Sequence, residues 1–422
     1  MPVLHSLAFI ASAAAHAVPK PVLSTPESLW QHYQQSQVDN AARRAEHDAQ
    51  ALHFGDKVMH YADKVMHYAV FTLGDKPFKG FPLYIALHGG GSAPAKVNDS
   101  QWKDMKIYYR DSVGTGIYVA PCGVTNTWDL HFQPESYVLM ERLIENMVLY
   151  ENVDPDRVYL LGFSAGGDGV YQLTPRLADR FAAANMSAGH PNGVNLANLA
   201  SVPFLLQVGE NDGDYHRNTV TAEYNDKLKA LAASGNGEYV HEAFIHASRH
   251  HNFLDNDAHQ RPQSVLANPH AWLVEGNRST KSTNTNAVRW LNQYTRNPLP
   301  ERLVWDLTTR AQRDSNGLWY WLDIGRHTRG TLGTDTIVAS YDSSRNAVVV
   351  EQARTYLRIL LNNAMVDLDK SVLVEVGGQQ LHVQVSPSER VQEETLLERG
   401  DPRYIFAARI TLAQGAAGWR AE

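Results

Sequence analysis

The chain has 422 residues, 43% of them hydrophobic and 20% charged, with a formal net charge of −7 and a mean hydropathy of −0.37. That length can bury a large core and favours two domains. The negative balance, with no dense Lys/Arg run against it, argues against a general nucleic-acid or anionic-membrane surface.

A single cysteine, Cys122, excludes an intramolecular disulfide, and after Ala120-Pro121 it reads as a buried small hydrophobe or a pocket edge. Residues 7–15 have the form of a short apolar h-region before Ala15-His16-Ala17, an A-x-A cleavage pattern, yet no Lys or Arg precedes them. Secreted and cytoplasmic placements both stay open, and the stretch is too short to span a bilayer. Residues 24–50 read as helix, with Pro26 in the first turn and Glu27 as an early acid. Residues 52–73 alternate as leading antiparallel strands. Within them Asp56-Lys57-Val58-Met59-His60-Tyr61-Ala62 recurs unchanged at 63–69. An odd shift inverts the faces of a period-2 strand, so one copy is expected to loop or bulge out.

Pro82-Leu83-Tyr84-Ile85-Ala86-Leu87 reads as a buried strand running directly into His88-Gly89-Gly90-Gly91-Ser92. Glycines at that place let backbone N–H groups approach a substrate oxygen. No Gly-Lys-Ser/Thr follows, so a phosphate-binding P-loop is excluded. Gly89 and Gly90 are candidate oxyanion donors, and His88 borders the same loop. Residues 121–131 follow the next strand and carry Trp128 and His131 as candidate pocket residues. An amphipathic helix is expected over 133–152. The run Arg157-Val158-Tyr159-Leu160-Leu161 then ends on Gly162-Phe163-Ser164-Ala165-Gly166, with Gly167 next. This is G-x-S-x-G between a strand and a helix, the sharp turn that exposes a nucleophilic serine. Ser164 is the candidate nucleophile, and the N–H of Ala165 is a further oxyanion donor.

In such sites the acid and then the base follow the serine in chain order. The strand-like run 202–208 ends in Gly209-Glu210-Asn211-Asp212-Gly213-Asp214. Asp212 is the first candidate acid, Asp214 the alternative and Glu210 the third. A helix is expected over 219–233. The run 238–245 leads into His246-Ala247-Ser248-Arg249-His250-His251-Asn252-Phe253. His251 is the first candidate base and His250 the alternative, while His246 lies close to the strand end. His190, after the run 181–186, joins the pocket; it and Trp128 read equally as packed scaffold. His241-Glu242 and His246 are one residue too far apart for H-E-x-x-H, and His246 with His250 lacks a nearby third ligand, so no metal is expected. Every candidate follows the carboxyl end of a strand, the edge where open parallel α/β sheets bind ligands.

On His88-Gly89-Gly90-Gly91 and Gly162-Phe163-Ser164-Ala165-Gly166-Gly167, with 209–212 as a looser third element, residues 52–296 resemble α/β-hydrolases of the esterase group. That group includes polyhydroxybutyrate-depolymerase-like and feruloyl-esterase-like proteins. The resemblance implies an α/β-hydrolase fold, with a mostly parallel sheet flanked by helices, and a Ser-Asp-His triad. It also implies carboxylic ester hydrolysis through an acyl-enzyme, with no cofactor. One alternative is a serine peptidase of the prolyl-oligopeptidase type, although the stretch before His88 is too short for the β-propeller such enzymes usually carry. The other is a non-catalytic binding protein on a hydrolase scaffold. The expected partner is a small-molecule or polymer-derived ester, not nucleic acid or a membrane.

Residues 251–287 are polar and rich in Asn, Ser and Thr, and read as a lid over the active edge or as a surface excursion. Asn297-Pro298-Leu299-Pro300 marks a boundary, beyond which short β-like runs recur. The expected division is an N-terminal segment over 1–23, a catalytic domain with its leading helix over 24–299, and a β-rich, sandwich-like accessory domain over 300–422. Trp319-Tyr320-Trp321 reads as core packing along an alternating strand ahead of a sugar-stacking surface.

Overall fold

The computed structural model describes residues 23–38, 40–54, 64–235, 237–256, 286–310, 317–325, 336–353 and 355–422. Its central feature is an eight-stranded sheet. The strands are β1 (Ala51–Phe54), β2 (Lys64–Leu73), β3 (Phe81–Leu87), β4 (Gly116–Pro121), β5 (Val153–Phe163), β6 (Ala183–Ser187), β7 (Phe204–Gly209) and β8 (His241–His246). Their spatial order is β1-β2-β4-β3-β5-β6-β7-β8. β1 and β2 are antiparallel to their neighbours, whereas β3 to β8 are mutually parallel. Successive side chains enter two different cores. Leu83, Ile85, Leu87 and Leu160 belong to one; Tyr84, Ala86, Tyr159 and Leu161 belong to the other. With both faces covered, β3 and β4 are buried along their whole length, as parallel strands require. This is an α/β-hydrolase fold.

The helix expected over 24–50 is two helices, α1 (Pro26–Val38) and α2 (Ala41–Asp48). Thr25 Oγ1 accepts the Ser28 N–H at 3.2 Å ahead of the first. Asn40 Oδ1 accepts the Arg43 N–H at 3.1 Å and starts the second, so a capping side chain wins over continuation of the helix. Helices α3 (Ala95–Tyr108), α4 (Pro134–Tyr150), α5 (Ala165–Leu173) and α6 (Arg217–Ser234) follow. The second copy of the repeated heptapeptide supplies the first part of β2, pairing Lys64 to His67 with β1. That copy is continuous with Val70 to Leu73, so the strand keeps its faces in phase through β4. The first copy, 56–62, lies outside the described residues.

Ten further strands are β9 (Arg302–Asp306), β10 (Leu318–Trp319), β11 (Leu322–Asp323), β12 (Thr336–Asp342), β13 (Ala347–Gln352), β14 (Tyr356–Leu361), β15 (Val372–Val376), β16 (Gln379–Val383), β17 (Ala408–Gly415) and β18 (Gly418–Ala421). They form two five-stranded sheets, β10-β11-β14-β17-β18 and β16-β15-β13-β12-β9. Trp319, Tyr320 and Trp321 do not alternate along a strand as expected. The chain turns at Tyr320 (φ 48°), and all three rings are buried. Trp319 stacks on Trp305 with ring centroids 5.7 Å apart, so the cluster is core and offers no surface for stacking a sugar.

The apolar residues of these two sheets belong to the same continuous core as one face of the eight-stranded sheet. Leu29 and Tyr33 of α1 pack on Leu396 and Ile405. The seam is also ionic. Arg399 pairs with Asp179, both fully buried. Arg296 Nη1 donates to Asp401 Oδ2 and to the Asp179 carbonyl, each at 2.9 Å. Tyr404 donates its O–H to the same carbonyl at 2.8 Å. Removing one member of such a pair strands the other charge in the interior. Arg399→Ala is therefore expected to cost about 3–5 kcal/mol in a denaturant melt. A loss within the ~0–1 kcal/mol of a surface pair would contradict this seam.

Candidate active site

The site begins where β5 meets α5. Ser164 sits between them at φ 60°, ψ −123°, a conformation that costs a non-glycine residue on the order of 1–3 kcal/mol. Its N–H donates to the Ser187 carbonyl at the end of β6 at 2.9 Å. The flanking glycines are required by close approach. A methyl group on Gly162 would lie 2.1 Å from the Gly166 carbonyl oxygen, and one on Gly166 would lie 2.0 Å from the Leu87 carbonyl oxygen.

His251 Nε2 lies 2.9 Å from Ser164 Oγ, and His251 Nδ1 lies 2.9 Å from Asp212 Oδ2. A carboxylate accepts only, so Nδ1 carries the proton and Nε2 is left free to accept from the serine O–H. Asp212 follows β7 and is 2% exposed. Arg217, at the start of α6, places Nη1 3.6 Å from the other oxygen, Asp212 Oδ1. Three hydrogen bonds hold the two loops together: Glu210 N–H to the His246 carbonyl (3.0 Å), Asn211 N–H to the Arg249 carbonyl (2.6 Å) and Ser248 N–H to Glu210 Oε2 (2.6 Å). Glu210, the third candidate acid, is thus a tether between loops. Asp214 is exposed and opens a short 3-10 turn. His250 is exposed, with Nδ1 3.2 Å from the Asn211 carbonyl. The structure brings Asp212 and His251 to Ser164, and neither Asp214 nor His250 shares a hydrogen bond with it.

In the glycine loop after β3, Gly91 has its N–H occupied by Asn98 Oδ1 at 3.1 Å. Asn98 Nδ2 returns a bond to the Gly91 carbonyl at 3.2 Å and reaches Asn126 Oδ1 at 2.8 Å, linking this loop to the one after β4. Gly89 abuts Ser164: a methyl group there would lie 3.2 Å from Ser164 Cβ. His88 and His131, expected to line the pocket, lie beneath the loop instead. His88 is 0% exposed; its Nε2 accepts the Gly123 N–H at 3.0 Å and its Nδ1–H donates to the Gly89 carbonyl at 2.6 Å. His131 Nε2–H donates to the His88 carbonyl at 2.8 Å. Desolvation pushes the His88 pKa down to about 4 and His131 well below its usual value, so both rings are neutral at pH 7. They shape the loop and do not face a substrate.

Trp128 is 52% exposed, and its Cα would lie 3.5 Å from a methyl group on Gly91, which puts it at the rim beside Ala165. His190 is partly buried and donates its N–H to Asp168 Oδ1 at 2.7 Å. Cys122 is half-buried, and desolvation pushes its thiol up to about 11. Asn98, Arg217 and Asp168 escaped the sequence reading because no local pattern marks them; each acts across an element that only the folded chain brings near. Among the described residues no group of three or more His, Cys, Asp or Glu is arranged to hold a metal, and no helix is long and apolar enough to cross a membrane. The polar stretch weighed as a lid lies, from 257 to 285, outside the described residues.

His246, the last residue of β8, is buried with its Nε2 3.0 Å from Gln207 Oε1, and desolvation pushes its pKa down to about 4. Imidazoles of the unfolded chain titrate near 6.5, so from pH 6.5 to 4 the unfolded state takes up protons that the folded state refuses. Stability contributed by the neutral ring is full above pH 6.5 and falls through that window, by ~3 kcal/mol for His246 alone at pH 4. His246→Gln should flatten the fall of melting temperature between pH 6.5 and 4; an unchanged slope would contradict the assignment.

No family model matches the chain. A curated relative is the bifunctional acetylxylan esterase/xylanase of Neocallimastix patriciarum, 32% identical over 136 residues, or 31% of this chain and 19% of that protein. The chain therefore spans about one-fifth of the length of that relative. Solved structures it resembles include a thermostable esterase (20% identity, 58% of this chain and 62% of that one, TM-score 0.39). A poly(3-hydroxybutyrate) depolymerase from Bordetella parapertussis (19%, 48% and 83%, TM-score 0.36) and a ferulic acid esterase (15%, 47% and 90%, TM-score 0.32) are others. By its own strand order and its strand–serine–helix turn the chain has the α/β-hydrolase fold, and it is similar to esterases.

Proposed function

We propose that this protein is a serine hydrolase that cleaves carboxylic esters through an acyl-enzyme. The observation that carries the reading is the pair of 2.9 Å contacts joining Ser164, His251 and Asp212 in line. Ser164 Oγ attacks the acyl carbon while His251 Nε2 takes its proton. Asp212 holds Nδ1–H and offsets the charge of the imidazolium. The N–H groups of Ala165 and of Gly89 or Gly90 receive the oxyanion; one such donor is worth ~10²–10³ in rate. Collapse of the intermediate expels the alcohol, which takes the proton from His251. Water then repeats the sequence on the acyl-enzyme and releases the acid, and no step calls for a cofactor.

Residues 24–299 are the catalytic portion in this reading. Residues 300–422 form an accessory portion docked on it, since the two share one core and a buried ionic seam. The acetylxylan esterase relative favours a short acyl group, on a small alcohol or a polymer. Para-nitrophenyl acetate should be hydrolysed by the wild type and about 10³-fold or more slowly by Ser164→Ala, with longer acyl chains sizing the pocket. If the wild type neither turns over any ester of the series nor reacts with a fluorophosphonate, the reading fails.

A further inference from the structure

Behind the Ser164–His251 contact runs a row of buried polar side chains that the proposed chemistry leaves unused. His246 Nε2–H, on β8, donates to Gln207 Oε1 on β7 at 3.0 Å. Gln207 Nε2 donates to Asn185 Oδ1 on β6 at 3.0 Å, and Asn185 Nδ2 donates to Ser187 Oγ at 3.0 Å. Ser187 Oγ in turn donates to Asp255 Oδ2 at 2.5 Å. Tyr109 donates its O–H to the same oxygen at 2.6 Å, and Tyr108 donates to Asp255 Oδ1 at 2.8 Å. Asn185, Ser187, Gln207 and Asp255 are all 0% exposed.

Polar groups inside a sheet are costly unless every one is paired. Here both amides turn their oxygen toward His246 and their nitrogen toward Asp255, so the donors run one way and end on a carboxylate. Desolvation raises the Asp255 pKa, and the three hydroxyl donors oppose that shift by favouring the ionised form.

The two ends of the row bear on the reacting atoms. Asp255 lies in the same loop as His251, a short way past it. Ser187, through its backbone carbonyl, holds the N–H of Ser164. Between them Phe253 stacks on His246 at 4.2 Å and touches Phe163 at 5.4 Å. We infer that Asp255 is a positioning residue: as the acceptor that ends this row, it fastens the His251 loop to the strand end beside Ser164 and sets the approach of base to nucleophile. The inference rests on the esterase reading of those two residues. A misplacement near 1 Å at such a contact costs ~10²-fold in rate.

Asp255→Asn keeps the shape but puts an N–H₂ group where hydroxyl protons now point. It should be compared with the wild type on para-nitrophenyl acetate, with active sites counted by fluorophosphonate titration and folding followed by thermal melt. Expected is a fall in kcat per titrated site of ~10–100-fold with KM little changed, and a parallel fall in the rate of phosphonate labelling. A variant that keeps wild-type kcat per site, whatever its melting temperature, overturns the positioning role. Should Asp255→Asn fail to fold, Ser187→Ala deletes one donor and keeps the backbone carbonyl. It should lower kcat by a smaller factor, roughly 3–10-fold, and wild-type kcat there overturns the inference equally. A wild type inert to both ester and phosphonate sinks the esterase reading first, and this one with it.

Discussion

The structure depends on one close approach, that of the first turn of α5 to the end of β3. Gly166 lies so near the Leu87 carbonyl that a single methyl group would stand 2.0 Å from the oxygen. That contact presses the helix carrying the serine against the strand that leads into the glycine loop. Gly89 consequently abuts Ser164 Cβ. A wider separation would carry the loop amides away from the serine hydroxyl, so their spacing from Ser164 follows first from backbone packing, with His88, His131 and Asn98 holding the loop's shape.

Around that contact the sheet order does the rest. β3 and β5 are neighbours although β4 lies between them in sequence, so the loops leaving them diverge and open a crevice at the carboxyl edge. β6, β7 and β8 extend the sheet in register, and each contributes at its end: the Ser187 carbonyl to the Ser164 N–H, Asp212 to the imidazole, and the tethered loop with His251. Buried carboxylates stand at this edge, Asp212 with Arg217 beside it and Asp255 under its three hydroxyl donors, and a second set of buried ion pairs joins the sheet to the C-terminal sheets.

What could be read from the sequence tracks how local each constraint is. The turn at Ser164 was legible because its glycines are demanded by contacts within a few residues and with one neighbouring strand. The order Ser164, Asp212, His251 was legible because it is the order of the strands they follow. The residues around His251 put it ahead of its neighbour His250, and the fold brings His251 to Ser164 while His250 turns to the Asn211 carbonyl. His88 and His131 looked like pocket residues by their place after strands, but rings that accept and donate to backbone groups can be drawn under a loop. The break at Asn40 and the turn at Tyr320 were hidden for a similar reason, each depending on one residue that overrides the surrounding pattern. Most of all, the shared core of the eight-stranded sheet and the C-terminal sheets joins residues hundreds of positions apart, which no local pattern encodes.

The most direct test of the account is to trap its covalent intermediate. The protein would be mixed with para-nitrophenyl acetate, quenched in acid at short times, digested, and its peptides weighed by mass spectrometry. The account predicts a transient mass increase of one acetyl group on the peptide bearing Ser164, rising with the first burst of nitrophenol and decaying as water turns it over. Ester hydrolysis with no acylated Ser164 peptide, or with the acetyl group on another residue, would contradict it.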